Sequence, residues 1–312
     1  MDSIEQQNHD WSNYWNGRTA SETGEVFGLI EVETNDDLAS FWRSVFEDYP
    51  ANKVIDLACG AGSVLQHVGD PNTKELIGVD ISQAAIDIAV ANVSGLRGIV
   101  ASATNVPLAS QSADLVVSQF GFEYAGKDCA SEIARLLKPG GMFIAVAHMK
   151  NSAIEQECKS RLAGLVKIED SKFVERAKVM IAQIIAFERG QSNQSREDLT
   201  PLIDDFSEAQ TTLVSLAETN RIATHLYTGT KQLFERRSSY EYKDIEGWLD
   251  GMQLEVSAYR GRMESMINAA LTESEALELL NTIGVDEDCH MAPFKMDSDI
   301  VGWILKAKRS AV

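Results

Sequence analysis

The 312-residue sequence is poor in cysteine, with four, in histidine, with five, and in proline, with six. Cys59, Cys129, Cys158 and Cys289 show no CxxC spacing and no histidine at metal-ligand distance, so neither a disulfide framework nor a zinc site is signalled. They read as reduced thiols of a cytoplasmic protein. His9, His67, His225 and His290 show no mutual spacing that suggests a metal. No apolar run approaches the roughly 20 residues of a membrane helix. The opening MDSIEQQNHD lacks the basic-then-apolar pattern of an export signal. The expectation is a chain that is neither exported nor inserted in a bilayer. Positive charge is also scarce, since 28 Lys and Arg face 47 Asp and Glu, for a net charge of −19. A phosphate backbone is bound through Lys and Arg that displace its counterions, so most of this surface repels nucleic acid. The most basic stretches, Lys231 to Arg237 and Lys306 to Arg309, are short and read as a solvated helix face and a polar chain end.

What is present is a 44% hydrophobic composition, enough for one large core or a core plus a smaller lobe. From Lys53 to His148, β-type runs alternate with helix-type runs: VIDLA, ELIGVD, GIVAS, ADLVVSQ and GMFIAVAH against segments such as SQAAIDIAVANV and KDCASEIARLLK. That is the βαβ alternation of a parallel sheet covered on both faces. KPGG, Lys138 to Gly141, marks the end of one helix and the turn into the next strand. Beyond Lys150 the pattern becomes helical. Phe173, Ala177, Met180, Ile181, Ile184 and Ile185 form one apolar stripe, and Leu199, Leu202, Ile203, Phe206, Leu213 and Leu216 another. Glu188 to Asp198 between them reads as a mobile loop. From Tyr240, YKDIEGWLDGM reads as a helix, LEVSAYR as a strand and IVGWILKAKR as a final strand. Three parts result: residues 1–150 with the ligand-binding sheet, residues 151–239 as a helical insertion or substrate lid, and residues 240–312 returning to the sheet.

The stretch VIDLACGAGSVLQHV, Val54 to Val68, runs from a strand into a glycine turn and then reads as a helix. In a doubly wound sheet the ligand sits at the carboxyl ends of the strands, where such a turn lets backbone N–H groups approach it. Gly60 and Gly62 occupy that turn. A dinucleotide fingerprint needs a third glycine, and Leu65 stands at its position. Asp80, ending the second strand, is placed to meet a pair of ribose hydroxyls, a role common to NAD sites and S-adenosylmethionine sites.

VIDLACGAG, IGVDIS, ASATNVPLASQSADLVVSQF and EIARLLKPGGMFIAV occur in that order. As a set they resemble the motifs of the class I S-adenosylmethionine-dependent methyltransferases, in the subgroup acting largely on small molecules. The resemblance spans about Asn52 to Lys150. It implies a mostly parallel, doubly wound seven-stranded sheet of Rossmann-like type with a helical insertion, and S-adenosyl-L-methionine as cofactor. Carried over by position, it implies that Asp56, Ala58, Cys59, Gly60 and Gly62 surround the methionine end. Asp80 would hold the ribose, Ile81 would pack on adenine, and Ser102 with Ala103 would line the adenine edge. Gln119 and Phe120 would face the amino group and sulfonium. The family often has Asp where Ser102 stands, and a neutral hydroxyl is a weaker acceptor than a carboxylate. Cys59 reads as a small buried hydrophobe that fits the turn. In WSNYW, Trp11 to Trp15, Tyr14 is placed to reach the methionine carboxylate, or else the tryptophans pin a helix to the core.

Methyl transfer is an in-line displacement in which positioning alone supplies on the order of 7 to 11 kcal/mol. A base is needed only if the acceptor arrives protonated. His148, ending the fifth strand at the ligand edge, is the first candidate, with Glu123 and Tyr124 next; a strand-end histidine satisfied by backbone is the plainer alternative. SQFGFEY lacks the (D/N)PPY tetrapeptide of amino-methylating nucleic-acid enzymes, which points to a small-molecule acceptor. Arg161, Arg176, Arg189, Arg221, Arg236 and Arg237 could face a substrate carboxylate or simply pair with surface acids. No nucleic-acid or membrane partner is expected, and a homodimer is left open. Two other functions stand beside the methyltransferase: a cofactor-binding scaffold or regulator without turnover, and an NAD-dependent oxidoreductase.

Overall fold

The computed structural model describes residues 15, 36–284 and 289–310. Strands β1 (Lys53–Leu57), β2 (Glu75–Asp80), β3 (Arg97–Val100), β4 (Ala113–Gln119), β5 (Leu137–His148), β6 (Cys289–Met296) and β7 (Asp299–Lys308) form one sheet. Its order is β3-β2-β1-β4-β5-β7-β6. Pairing is parallel from β3 through β5, and β7 runs antiparallel to both β5 and β6. The doubly wound, mostly parallel seven-stranded sheet implied by the sequence is therefore observed. The chain winds outward in one direction through β2 and β3 and in the other through β4 and β5. Between β1 and β4 the direction of winding reverses, and that switch point is where such sheets open to ligands.

The central strands are apolar along their length because both faces are covered. Ile55, Leu57, Ile77, Val79, Val116 and Phe143 are fully buried in one core. Each such side chain contributes about 1.5–3 kcal/mol by leaving water. Against this sheet pack α2 (Gln83–Asn92), α3 (Asp128–Leu136) and α9 (Glu273–Ile283). Helix α3 buries Cys129, Ala130, Ile133 and Leu136, one stripe at helical spacing. Ser82 caps α2 by accepting from the Ala85 amide, and Thr272 with Glu275 forms a capping box at α9. Ahead of β1, α1 (Asp36–Asp48) buries Leu38, Trp42, Val45 and Phe46.

The remaining helices are α4 (Ala153–Asp170), α5 (Phe173–Glu188), α6 (Arg196–Leu216), α7 (Arg221–Glu235) and α8 (Tyr242–Ala269). Two compact units result, Met1–Cys158 with Ser265–Val312, and Lys159–Glu264. The second unit is helical. Its core holds the expected α5 stripe from Phe173 to Ile185, together with Leu213, Leu226 and Leu249. The α6 stripe is only partly covered, since Leu199 and Leu213 are buried while Ile203 is exposed. Arg176, Arg189 and Arg237 pair with acids in this unit, and Arg161 donates to the Tyr259 hydroxyl.

Four sequence expectations are corrected. LEVSAYR is not a strand but the middle of α8. Ile245, Leu249, Met252, Val256, Met263 and Met266 lie at spacings of three, four and seven and are all buried, whereas Leu254 faces water at 71% exposure. A helical stripe of six residues outweighs a local alternation of three. Strands accordingly resume at Cys289 and not after Tyr240. The turn after β1 leads to a single 3-10 turn, Leu65–His67, with no α-helix, because Gly69, Asp70 and Pro71 follow too closely. KPGG lies inside β5, where Gly140 takes φ +78° and the pairing with β4 shifts register. The Glu188 to Asp198 loop is shorter than expected, because Arg196–Asp198 is already the first turn of α6, capped reciprocally by Ser195 and Asp198.

Candidate active site

The carboxyl end of β1 bends sharply, with Ala58, Gly60 and Gly62 all in the left-handed region at φ +53°, +52° and +81°. A Cβ on Gly60 would stand 2.9 Å from the Trp15 ring, and one on Gly62 would stand 3.0 Å from Val93. Both glycines are thus required by backbone conformation and by space. The Cys59 amide donates to the Val79 carbonyl at 3.0 Å and ties the turn to β2. Burial, with the charges of Asp56 and Asp80 adding to it, pushes the Cys59 thiol well above its ordinary range. It packs as a small apolar group.

Asp80 ends β2 and holds two turns at once. Its Oδ2 accepts from the Gly60 amide at 3.0 Å and its Oδ1 from the Ser82 amide at 2.9 Å. Burial raises its pKa, and the amides of Ser82, Gly60 and Ile81 oppose that rise by stabilising the carboxylate. Asp56, one strand away, is fully buried, and neither carboxylate oxygen has a hydrogen-bond partner among the described residues. Burial pushes its carboxyl well above the ordinary range, and the Asp80 charge adds to the effect.

After β3, Ser102 Oγ lies 2.8 Å from Thr104 Oγ1 and accepts from the Thr104 amide. The Ala103 carbonyl meets the Cys129 thiol at 3.5 Å. The loop that follows is held by an ion pair on α3. Glu132 accepts from the Val106 amide at 2.7 Å, and Arg135 binds Glu132 while donating to the carbonyls of Val106 and Leu108.

At the ends of β4 and β5, Gln119 Oε1 accepts from Trp42 Nε1 at 2.6 Å, and its amide nitrogen lies 3.5 Å from Ser63 Oγ. Helix α1 therefore reaches the switch point through Trp42. Phe120 takes φ +49°, which turns the chain so that Glu123 meets the end of β5. Buried Ser118 fixes this turn by donating to the Leu57 carbonyl and accepting from the Phe122 amide. Glu123 Oε1 lies 2.6 Å from His148 Nδ1 and accepts from the His148 amide at 2.9 Å. The rings of Phe120 and Tyr124 meet the imidazole edge-on at 4.7 and 5.6 Å.

The residues singled out in sequence thus fall in three neighbouring groups: Asp56, Ala58, Cys59, Gly60, Gly62 and Asp80 with Ile81; Ser102 with Ala103; and Gln119, Phe120, Glu123, Tyr124 and His148. Tyr14 lies outside the described residues. Trp42, Ser63, Thr104 and Ser118 were not anticipated, because each acts through a partner distant in sequence or through the backbone.

Residues 55–145 match the family model described as a methyltransferase domain. Over that segment, less than a third of the chain, the sequence is that of a class I methyltransferase domain. The match to this methyltransferase domain begins inside β1 and ends inside β5, so it includes every sheet turn described above except His148 itself. Among curated proteins, the chain is 23% identical over 139 residues to "Arginine-hydroxylase NDUFAF5, mitochondrial" of Rattus norvegicus, covering 44% of this chain and 40% of that protein. It is 28% identical over 106 residues to "Ubiquinone/menaquinone biosynthesis C-methyltransferase UbiE" of Campylobacter jejuni, covering 31% and 45%. The chain therefore spans less than half the length of these relatives. Among solved structures, geranyl diphosphate C-methyltransferase from Streptomyces coelicolor is 18% identical with a TM-score of 0.35, covering 46% of this chain and 65% of that one.

Proposed function

We propose that this chain is an S-adenosylmethionine-dependent methyltransferase acting on a small organic molecule. The observation that carries the reading is Asp56. A buried carboxylate with both oxygens open is costly unless a cation or donors complete it. S-adenosyl-L-methionine, when bound, supplies a methyl group on a positively charged sulfur and carries an ammonium group beside it. Asp56 would hold that positive end, the Gly60 to Gly62 turn would let it approach the backbone, and Asp80 would accept from the ribose hydroxyls. Ser102 and Ala103 would line the adenine edge, with Gln119 and Phe120 on the methyl side. A nicotinamide dinucleotide is the poorer fit. Its pyrophosphate calls for an α-helix N-terminus after β1, and a three-residue 3-10 turn stands there.

The two curated relatives bear the names of different reactions, a hydroxylation and a C-methylation, so the acceptor is a matter for experiment. Calorimetry with S-adenosylmethionine and its demethylated product comes first. Incubation with methyl-labelled cofactor and a metabolite extract follows, and labelled product identifies the acceptor. Absence of binding by the folded chain overturns the reading. Binding without any labelled product assigns a scaffold or regulatory role in its place.

A further inference from the structure

We infer that Glu123 and His148 form a proton-accepting dyad and that the acceptor is a neutral hydroxyl compound of phenol or enol acidity. This rests on the methyl-transfer reading above and deepens it.

The geometry assigns the imidazole tautomer. One oxygen of Glu123 receives both the His148 amide and Nδ1, so Nδ1 carries the hydrogen and the lone pair is on Nε2. Nε2 is buried and has no hydrogen-bond partner among the described residues; the same holds for Glu123 Oε2. Buried polar atoms are almost always partnered, and an open lone pair on an oriented, neutral imidazole is what an incoming X–H group needs. From the turn after β4 come Glu123, Phe120 and Tyr124; from β7 Gly302 pairs opposite His148; ahead of α9 the Leu271 amide donates to the His148 carbonyl. Among the described residues, Glu123 is the charged group in hydrogen-bond contact with the ring.

A base of this kind selects among acceptors. Thioethers and tertiary amines have no proton to lose, and thiols, with a pKa near 8.5, need less help from a base. A phenol, with a pKa near 10, is acidic enough to pass its proton to an imidazole as the methyl group transfers, whereas an aliphatic alcohol is a far weaker acid. In the step, the acceptor proton passes to Nε2 and the oxygen keeps the O–H electron pair, which forms the bond to the methyl carbon. The electron pair of the broken methyl–sulfur bond stays on the sulfur, which becomes neutral. The imidazolium is balanced by the Glu123 carboxylate and yields its proton to solvent afterwards. His148 is thus the catalytic residue and Glu123 its positioning residue.

The test uses the full chain with His148→Gln and Glu123→Gln. Nitrogen NMR of the wild-type ring should show Nε2 without hydrogen, and Glu123→Gln should redistribute the tautomers. Calorimetry should find the cofactor Kd unchanged within about twofold in both variants. With labelled cofactor and a panel of phenols, an aliphatic alcohol, a thiol and a tertiary amine, the wild type should label phenols. His148→Gln should slow protonated phenols by about a hundredfold or more, the usual reach of acid–base catalysis, yet slow a nitrophenol already ionised at mildly alkaline pH by less than about tenfold. Equal losses on ionised and protonated phenols overturn the inference. So does hydrogen on Nε2 in the wild type, or labelling confined to the thiol or amine, or no labelled phenol despite cofactor binding. Failure of the wild type to bind cofactor at all overturns the methyl-transfer reading along with it.

Discussion

The Gly60 amide donates to Asp80 Oδ2 at 3.0 Å, so the turn after β1 is clamped by the residue that ends β2. A carboxylate at this position does two things: it fixes the glycine backbone on one side and, through the Ser82 amide, the entry to α2 on the other. Asp80→Ala removes both. Loss of a charge-assisted bond should weaken cofactor binding by roughly 1.5–3 kcal/mol. Titration calorimetry on the folded variant checks this, and unchanged affinity would argue that the pocket does not use Asp80.

Asp56 makes stability depend on pH with a defined sign. Its folded pKa is raised above the ordinary value of 3.8, so between that value and the folded pKa the native state holds a proton that the unfolded chain has released. Stability from this group is greatest at acid pH and falls as pH rises through that window. Asp80, also raised, acts in the same direction. Asp56→Asn should flatten the decline, as measured by urea unfolding at a series of pH values. The same linkage means that binding a cationic cofactor releases a proton. Calorimetry in buffers of different ionisation heat should detect that release in the wild type and find it diminished in Asp56→Asn.

Ala58 carries a side chain at φ +53°, a conformation that costs an L-residue roughly 1–2 kcal/mol. Glycine relieves that strain but loses more chain entropy on folding, about 0.4–1 kcal/mol. Ala58→Gly should therefore stabilise the chain by up to about 1.5 kcal/mol in denaturant titration. A destabilised variant would mean that the Ala58 methyl group, which fills the space facing Gly121, contributes more than the strain costs.

Glu132 connects α3 to the loop after β3. In Glu132→Ala the Val106 amide loses its acceptor and Arg135 loses its ion-pair partner. The expected cost is about 1–3 kcal/mol of stability, with faster hydrogen exchange at the amides of residues 104 to 108 and weaker cofactor binding. Unaltered exchange there would show that the loop is held by its other contacts.

Much of the sheet and of the turn after β1 was legible in the sequence, because both depend on short-range pattern. A strand buried on both faces must be apolar along its length, and a left-handed turn at its end selects glycine, so Val54 to Gly62 announces itself. Asp80 is found by the same logic, one strand further on. Where the local pattern was ambiguous the sequence misled. Leu254, Val256 and Ala258 alternate like a strand, but only the packing of Met252, Val256, Met263 and Met266 on one side decides that the segment is helical.

The pairing of Glu123 with His148 was decided by tertiary structure alone. Sequence placed His148, Glu123 and Tyr124 near one edge of the sheet as separate candidates. That Glu123 orients His148 depends on the left-handed backbone at Phe120 and on Ser118 holding the turn against Leu57, neither of which leaves a local signature. Whether a buried acid has a partner is likewise a property of every side chain around it. Sequence places Asp56 near the end of β1; only the folded core, which buries it and brings no hydrogen-bond partner to its oxygens among the described residues, raises its pKa.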